Sequence, residues 1–232
     1  MEKPLAGRQV VVTGGTGALG QAVVTRLIAA GACCHVPVRR PAGATGAEQP
    51  QLRLSHGIDL VDEAAVGRFY GAIPELWASV HLAGGFAMAP IAETSAAEFQ
   101  HMFEQNALSA LLCSRAAVAS MRAGGRGGRI VQVAARQALE RRRGAGMIAY
   151  ATAKAAVAAL TESLAEELKE EHILVNAIAP STLDPPANRR AMPDADPAGW
   201  LAPEDAAEAI LQLISPGNRA ISGAVLPLYA RA

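Results

Sequence analysis

"RQVVVTGGTGALGQAVVTRLIAAG", residues 8–31, divides into three pieces. Arg8–Thr13 is a short apolar run that reads as a buried strand. Residues 13–20, TGGTGALG, hold the spacing Gly15-x-Gly17-x-x-Gly20, and QAVVTRLIAAG then shows the apolar spacing of a helix. Strand, glycine turn and helix in that order form a dinucleotide fingerprint. Its first glycine permits the tight turn, its second lets the backbone approach a pyrophosphate, and its third lets helix and strand pack closely. The N–H groups at the helix start face the phosphates. Gly14, Gly15, Thr16, Gly17, Ala18, Leu19 and Gly20 are accordingly read as cofactor-binding.

The rest of the chain repeats this alternation. CCHVPV (33–38), a short run before Asp59, RIVQVA (129–134), ILVNAIA (173–179) and ISGAVLPL (221–228) read as strands. ALSALLCSRAAVASMRAGG (107–125) and MIAYATAKAAVAALTESLAEELKEEH (147–172) read as long helices. Strands apolar on both faces between helices predict a doubly wound parallel α/β sheet with helices on both faces. No linker interrupts the chain, so residues 1–232 are read as one domain. Two stretches break the rhythm: a surface loop at 39–51, and 180–200, with five prolines and the look of a lid.

Composition narrows the function. Of 232 residues 51% are apolar, so the chain can bury a core. Its 21 basic and 21 acidic side chains cancel, leaving no basic field for nucleic acid. Cys33, Cys34 and Cys113 are read as reduced packing thiols. No apolar run reaches membrane-spanning length and no signal peptide opens the chain, so a cytoplasmic protein acting on a small-molecule substrate is expected. No metal site is assigned.

Three further positions carry chemistry. An acidic residue about twenty positions beyond the glycines would bind a free ribose 2′-OH. The chain instead has Val38-Arg39-Arg40. Two guanidinium groups suit a 2′-phosphate, so NADP(H) is favoured over NAD, against the alternative of two solvated arginines. Asp59-Leu60 reads equally as a contact to the adenine amino group or as the N-cap of the following helix. Tyr150 and Lys154 stand four apart on one helical face, where an ammonium is expected to lower the phenol pKa and ready it for proton transfer.

In order along the chain stand the glycine turn, Asp59, HLAGG (81–85), Asn106, Tyr150-x-x-x-Lys154 and NAIAP (176–180). On these motifs the whole chain resembles the short-chain dehydrogenase/reductase family. That resemblance implies a single Rossmann-like domain that oxidises or reduces alcohols and carbonyls with NAD(P). It implies a catalytic set of Asn106, Tyr150 and Lys154, with Asn106 holding a water in the proton relay and Lys154 reaching the nicotinamide ribose. It also places Ala83, Gly84 and Gly85, and just beyond the strand at 173–179 Pro180, Thr182 and Leu183, beside the cofactor. The family commonly pairs its two long helices across a two-fold axis, so a homodimer or homotetramer is expected.

The chain departs from the family pattern at three places. Ala18 stands for a glycine, with Gly17 supplying an alternative spacing. His81-Leu82 stand where two amides are usual, and His81 is read as a structural strand residue. Ala134-Ala135 occupy the region of the catalytic serine. From about Gly128 to Trp200 the chain is similar to the serine-lacking dihydropteridine reductases of the same family, although those prefer NADH. Candidate substrate residues are Ala135, Gln137, Asn188, Met192 and Trp200.

Three functions remain open. One is reduction of an activated acceptor, such as a quinonoid dihydropterin or quinone-like compound. The second is conventional carbonyl reduction with water, Gln132 or Gln137 in the serine's place. The third is non-catalytic dinucleotide sensing.

Overall fold

The computed structural model describes residues 3–40 and 50–231. Positions 41–49 of the loop read at 39–51 lie outside the described residues. The chain forms one α/β domain around a seven-stranded, wholly parallel sheet. The strands are β1 (Gln9–Thr13), β2 (Cys33–Val38), β3 (Leu52–His56), β4 (Leu76–His81), β5 (Gly128–Val133), β6 (Ile173–Pro180) and β7 (Val225–Leu228), in the order β3-β2-β1-β4-β5-β6-β7. Strand order reverses between β1 and β4, and in such sheets a ligand crevice opens at the carboxyl ends of the strands beside the reversal.

Both faces are buried. Val10, Val12, Ala78 and Val131 pack under α1 (Ala18–Ala29) and α8 (Pro203–Ile214). Val11, Ile130 and Val175 pack under α2 (Glu63–Gly71) and α4 (Ser109–Gly124). Alternate residues of one strand thus serve opposite cores, which is why the strands read as unbroken apolar runs rather than alternating ones. α3 (Ala96–Phe103) packs on α6 (Ile148–Glu167), and α5 (Arg136–Leu139) and α7 (Pro186–Ala191) are short.

α3 and α8 were not anticipated, and β4 was marked only by the reading of His81 as a strand residue. β4, LWASVH, carries two polar residues in its second half, Ser79 and His81, both buried. The stretch at 180–200 is also more ordered than its prolines imply. Pro185 and Pro186 start α7, because proline's fixed φ and missing N–H suit a first helical turn. Two backbone bonds, Leu201 N–H to Thr182 O and Asp184 N–H to Leu201 O, both 2.9 Å, close this loop at its base. The three cysteines are free, with Cys34 and Cys113 buried.

Candidate active site

The glycine turn shows why each small residue is there. Gly14, not Gly15, makes the left-handed step, with φ +67°, and a Cβ on it would stand 2.7 Å from the Ala83 nitrogen. Gly15 keeps an ordinary φ, but its Cβ would lie 2.9 Å from both γ-carbons of Val36 on β2. The expectation that the first glycine of the spaced triplet supplies the tight turn is therefore corrected by one residue. Gly20 plays its expected part: a Cβ there would sit 2.1 Å from the Gly14 carbonyl oxygen. Gly17 caps α1 with no side-chain bond, so the first N–H groups, from Ala18 and Leu19, remain free for an anion. Leu19 turns its side chain into the α1–α8 core.

A crevice of about 380 Å3 opens beside this turn. The structure brings together there Gly14, Thr16, Arg39, Asp59, Leu60, Ala83 and Gly84. Arg40, next to Arg39 in the chain, is exposed and is not among the residues lining the crevice; its carbonyl accepts a 3.4 Å bond from His56 Nδ1. Asp59 is not the helix cap: Asp62 is, accepting from Ala64 and Ala65 N–H. Asp59 instead accepts from Val61 N–H at 3.1 Å and lines the crevice. One wall went unrecognised in the sequence. His101, Glu104, Gln105 and Ser109 line it, and Gln105 Nε2 lies 2.7 Å from His101 Nε2. The helical recurrence of 101, 105 and 109, just beside Asn106, is the signal that marks this face.

Asn106 belongs to a π-turn, Glu104–Leu108, wedged between α3 and α4. Such turns recur at functional sites because the inserted residue redirects its neighbours. Here Asn106 Nδ2 donates to the carbonyls of Met102 (2.9 Å) and Gly85 (3.2 Å). Its Oδ1 is left buried with no protein partner. That oxygen lies 2.5 Å, and Lys154 Nζ 3.5 Å, from where a Cβ of Gly84 would be. An unpaired acceptor and an ammonium therefore converge on the space beside a glycine that lines the crevice.

Lys154 is buried and donates to the Val133 carbonyl at 2.7 Å. Its nitrogen is 5.9 Å from the centroid of the Tyr150 ring. Burial lowers the lysine pKa to about 8 and raises that of Tyr150 to about 12. The expected lowering of the phenol pKa by the ammonium does not hold in this structure. Loss of water around the hydroxyl outweighs the attraction of a charge that is itself poorly solvated.

These features correspond to known proteins. The family model for short chain dehydrogenases matches residues 8–196. The chain belongs to the short-chain dehydrogenase/reductase family. Among its relatives, a sorbitol dehydrogenase of Cereibacter sphaeroides is 31% identical over 187 residues, covering 78% of this chain and 72% of that protein. A galactitol 2-dehydrogenase of Rhizobium johnstonii is 32% identical over 250 residues, covering 97% and 95%. A short-chain dehydrogenase/reductase from Mycobacterium ulcerans superposes with a TM-score of 0.86 at 25% identity, covering 98% of this chain and 90% of that one. This chain is thus an oxidoreductase of a family that binds a nicotinamide dinucleotide. The crevice fits that group: Gly14 and Gly84 leave space where a side chain would intrude, and free N–H groups stand at the start of α1.

Against this family frame, the serine region is apolar. Ala134 and Ala135 are 1% and 2% exposed and supply no hydroxyl. Neither glutamine considered as a substitute is directed to Tyr150. Gln132 is fully buried and donates to Ser114 Oγ at 3.2 Å. Gln137 lines a separate hollow with Arg141, Gly144 and Ile148. What does stand over Tyr150 is Phe86, edge-on to the phenol with ring centroids 5.0 Å apart, and 61% exposed. Phe86 follows the HLAGG motif directly, but nothing in its spacing distinguished it from a surface aromatic.

His81 is a strand residue, as read. It is buried, its Nε2 is 2.8 Å from Ser79 Oγ, and burial lowers its pKa to about 3. In the loop after β6, Thr182 is exposed and Leu183 is half-buried against the α1–α8 core. Pro180 closes β6, and Asn188 Nδ2 donates to Leu183 O at 3.0 Å, bracing the loop from within. Met192 is exposed and Trp200 half-buried. No helix among the described residues is long and apolar enough to cross a membrane.

Proposed function

We propose that this enzyme uses NADP(H) to reduce an electron-poor, planar acceptor, with a quinonoid dihydropterin or a quinone-like compound as the type. The observation that carries the reading is the pair of buried alanines where the family places its hydroxyl donor. Adding hydride to a ketone builds negative charge on one oxygen, and losing one donor to such an oxygen typically costs about 10²–10³ in rate. A quinonoid acceptor spreads that charge and asks mainly for orientation and one proton.

When bound, the dinucleotide supplies the hydride. The chain's own residues do the remainder. Tyr150 holds its proton through neutral pH, because burial raises its pKa to about 12, and so stands ready as donor in the reductive direction. Lys154 and Asn106 Oδ1 border the route by which the phenol recovers a proton. Phe86 offers a flat acceptor an apolar edge beside the hydroxyl.

A second reading is favoured by the relatives, which are named as dehydrogenases of sorbitol and galactitol. Under it the substrate is a polyol or ketose, and a group other than the alanines carries the serine's part. Steady-state kcat/KM for quinonoid acceptors and for ketoses separates the two. A preference of at least about 10²-fold for the activated acceptor is expected. Equal efficiency, or polyol oxidation as the faster reaction, would overturn the proposal.

The NADP(H) assignment rests on Arg39 at the crevice and the exposed Arg40 next to it in sequence, with no carboxylate at either position. We also propose self-association through the surface of α3, α4 and the start of α6, where Phe99, Phe103, Leu111 and Ile148 are 38%, 40%, 43% and 37% exposed.

A further inference from the structure

A hollow of about 640 Å3 lies at the amino ends of β1 and β4, the opposite end of the sheet from the cofactor crevice. Lys3, Arg8, Glu75, Trp77 and Arg126 line it. Among the described residues its charge is unbalanced: three cations meet one carboxylate. Arg126 reaches Glu75 through two long contacts, 3.2 and 3.3 Å, with the two side chains 71% and 65% exposed, so this pair contributes little. Arg8 has no carboxylate partner among the described residues. Its guanidinium carbon lies 3.7 Å from the centroid of the Trp77 ring, and that of Arg129 lies 4.9 Å from the same ring.

Arg129 is buried, donates to the Gly128 and Asn218 carbonyls, and keeps a buried Nε with no acceptor. One indole, itself anchored by its N–H to the Ile214 carbonyl at 2.8 Å, therefore serves two guanidinium groups that no acid among the described residues neutralises. Partial burial and the nearby Arg126 both lower the Arg8 pKa, so positive charge is disfavoured where the structure concentrates it. An anion in the hollow relieves that repulsion.

We propose that this hollow is a second ligand site, for a small molecule that carries a multivalent oxyanion, a phosphate or polycarboxylate group. Arg8 and Arg126 present planar forks suited to bidentate contact, and Lys3 adds a point charge. The indole supplies an apolar wall for the body of the ligand. Because the dinucleotide crevice opens at the carboxyl ends of the strands, the two sites do not compete.

The test uses Trp77 as reporter. The chain has two tryptophans, so Trp200→Phe leaves Trp77 alone, in contact with Arg8. Inorganic pyrophosphate and citrate are titrated separately at constant ionic strength, with saturating oxidised dinucleotide holding the crevice. A saturable change in Trp77 emission is expected with at least one probe, and which probe acts distinguishes phosphate from polycarboxylate ligands. Arg8→Gln and Arg126→Gln should each weaken it by about 10-fold or more and leave dinucleotide affinity unchanged. If Arg8→Gln does not fold, Arg126→Gln, on an exposed loop, decides by the same criterion. No saturable response to either probe, an equal response to chloride, or unchanged affinity in the variants would overturn the proposal.

Discussion

At the scale of single residues, the proposed proton relay rests on two groups whose pKa values burial moves apart, the phenol upward and the ammonium downward. Tyr150→Phe removes the proposed proton donor and should lower kcat by at least about 10²-fold with cofactor affinity nearly intact. Near-normal turnover would mean that another group delivers the proton. Lys154 gives a pH prediction. With its pKa lowered from 10.5 to about 8, it is cationic below that value and neutral above it. Reductive kcat should therefore fall as pH rises through about 8, and Lys154→Arg, which keeps its charge, should remove that limb if it binds cofactor. The same shift bears on stability. Between about 8 and 10.5 the unfolded chain holds a proton that the folded chain has released, so the penalty for burying this ammonium is full below pH 8 and fades above it. Lys154→Met should thus melt higher than wild type at pH 7 while losing activity; a lower melting temperature would mean that the 2.7 Å bond to Val133 O outweighs the buried charge.

At the scale of elements, the β1–α1 turn shows how far the sequence could be read. Its glycines were legible because each answers to a local rule of spacing. The one-residue error over which glycine turns the chain arose because Val36 and Ala83, which crowd Gly15 and Gly14, come from β2 and from the segment after β4, contacts no spacing encodes. The π-turn was invisible for a like reason. A helical pattern at 107–125 has no mark for an extra residue upstream, and the carbonyl that holds Asn106 comes partly from Gly85. Phe86 was missed because its meaning depends on Tyr150 lying beneath it. The turn also carries a prediction. Gly14→Ala forces a side chain into a left-handed residue and against the Ala83 backbone, so it should destabilise the fold and weaken dinucleotide binding together. Gly57→Ala, also left-handed at φ +73° but with open space around it, should cost stability alone. Titration of dinucleotide beside thermal melts separates the two, and equal binding losses would mean that the crevice senses general destabilisation rather than this turn.

At the scale of the whole molecule, the question is what covers the outer surface of α3, α4 and the start of α6. Phe99 and Phe103 stand one turn apart on α3, Leu111 lies early on α4, and Ile148 opens α6, all more than a third exposed. Beside Ile148, a hollow of about 330 Å3 is lined by Gly144, Ala145, Ala151, Thr152 and Ala155, small residues that let a partner approach closely. In a monomer, four large apolar side chains grouped in this way stay in contact with water, whereas a two-fold pairing buries each against its mate at about 25 cal/mol per Å2. α3 and α6 also position the two ends of the proposed proton relay, since Asn106 follows α3 closely and Tyr150 and Lys154 sit on α6. A pairing there would brace the helices that hold the site. Phe103→Glu and Leu111→Glu, together, place charge on this surface without touching the crevice. Wild type should sediment as a dimer or tetramer at micromolar concentration, and the double variant at a smaller mass, with lower thermal stability and reduced kcat. A wild type that sediments as a monomer, or a double variant that keeps its mass, would mean that this surface is not the contact and that the relay helices stand without support from a second chain.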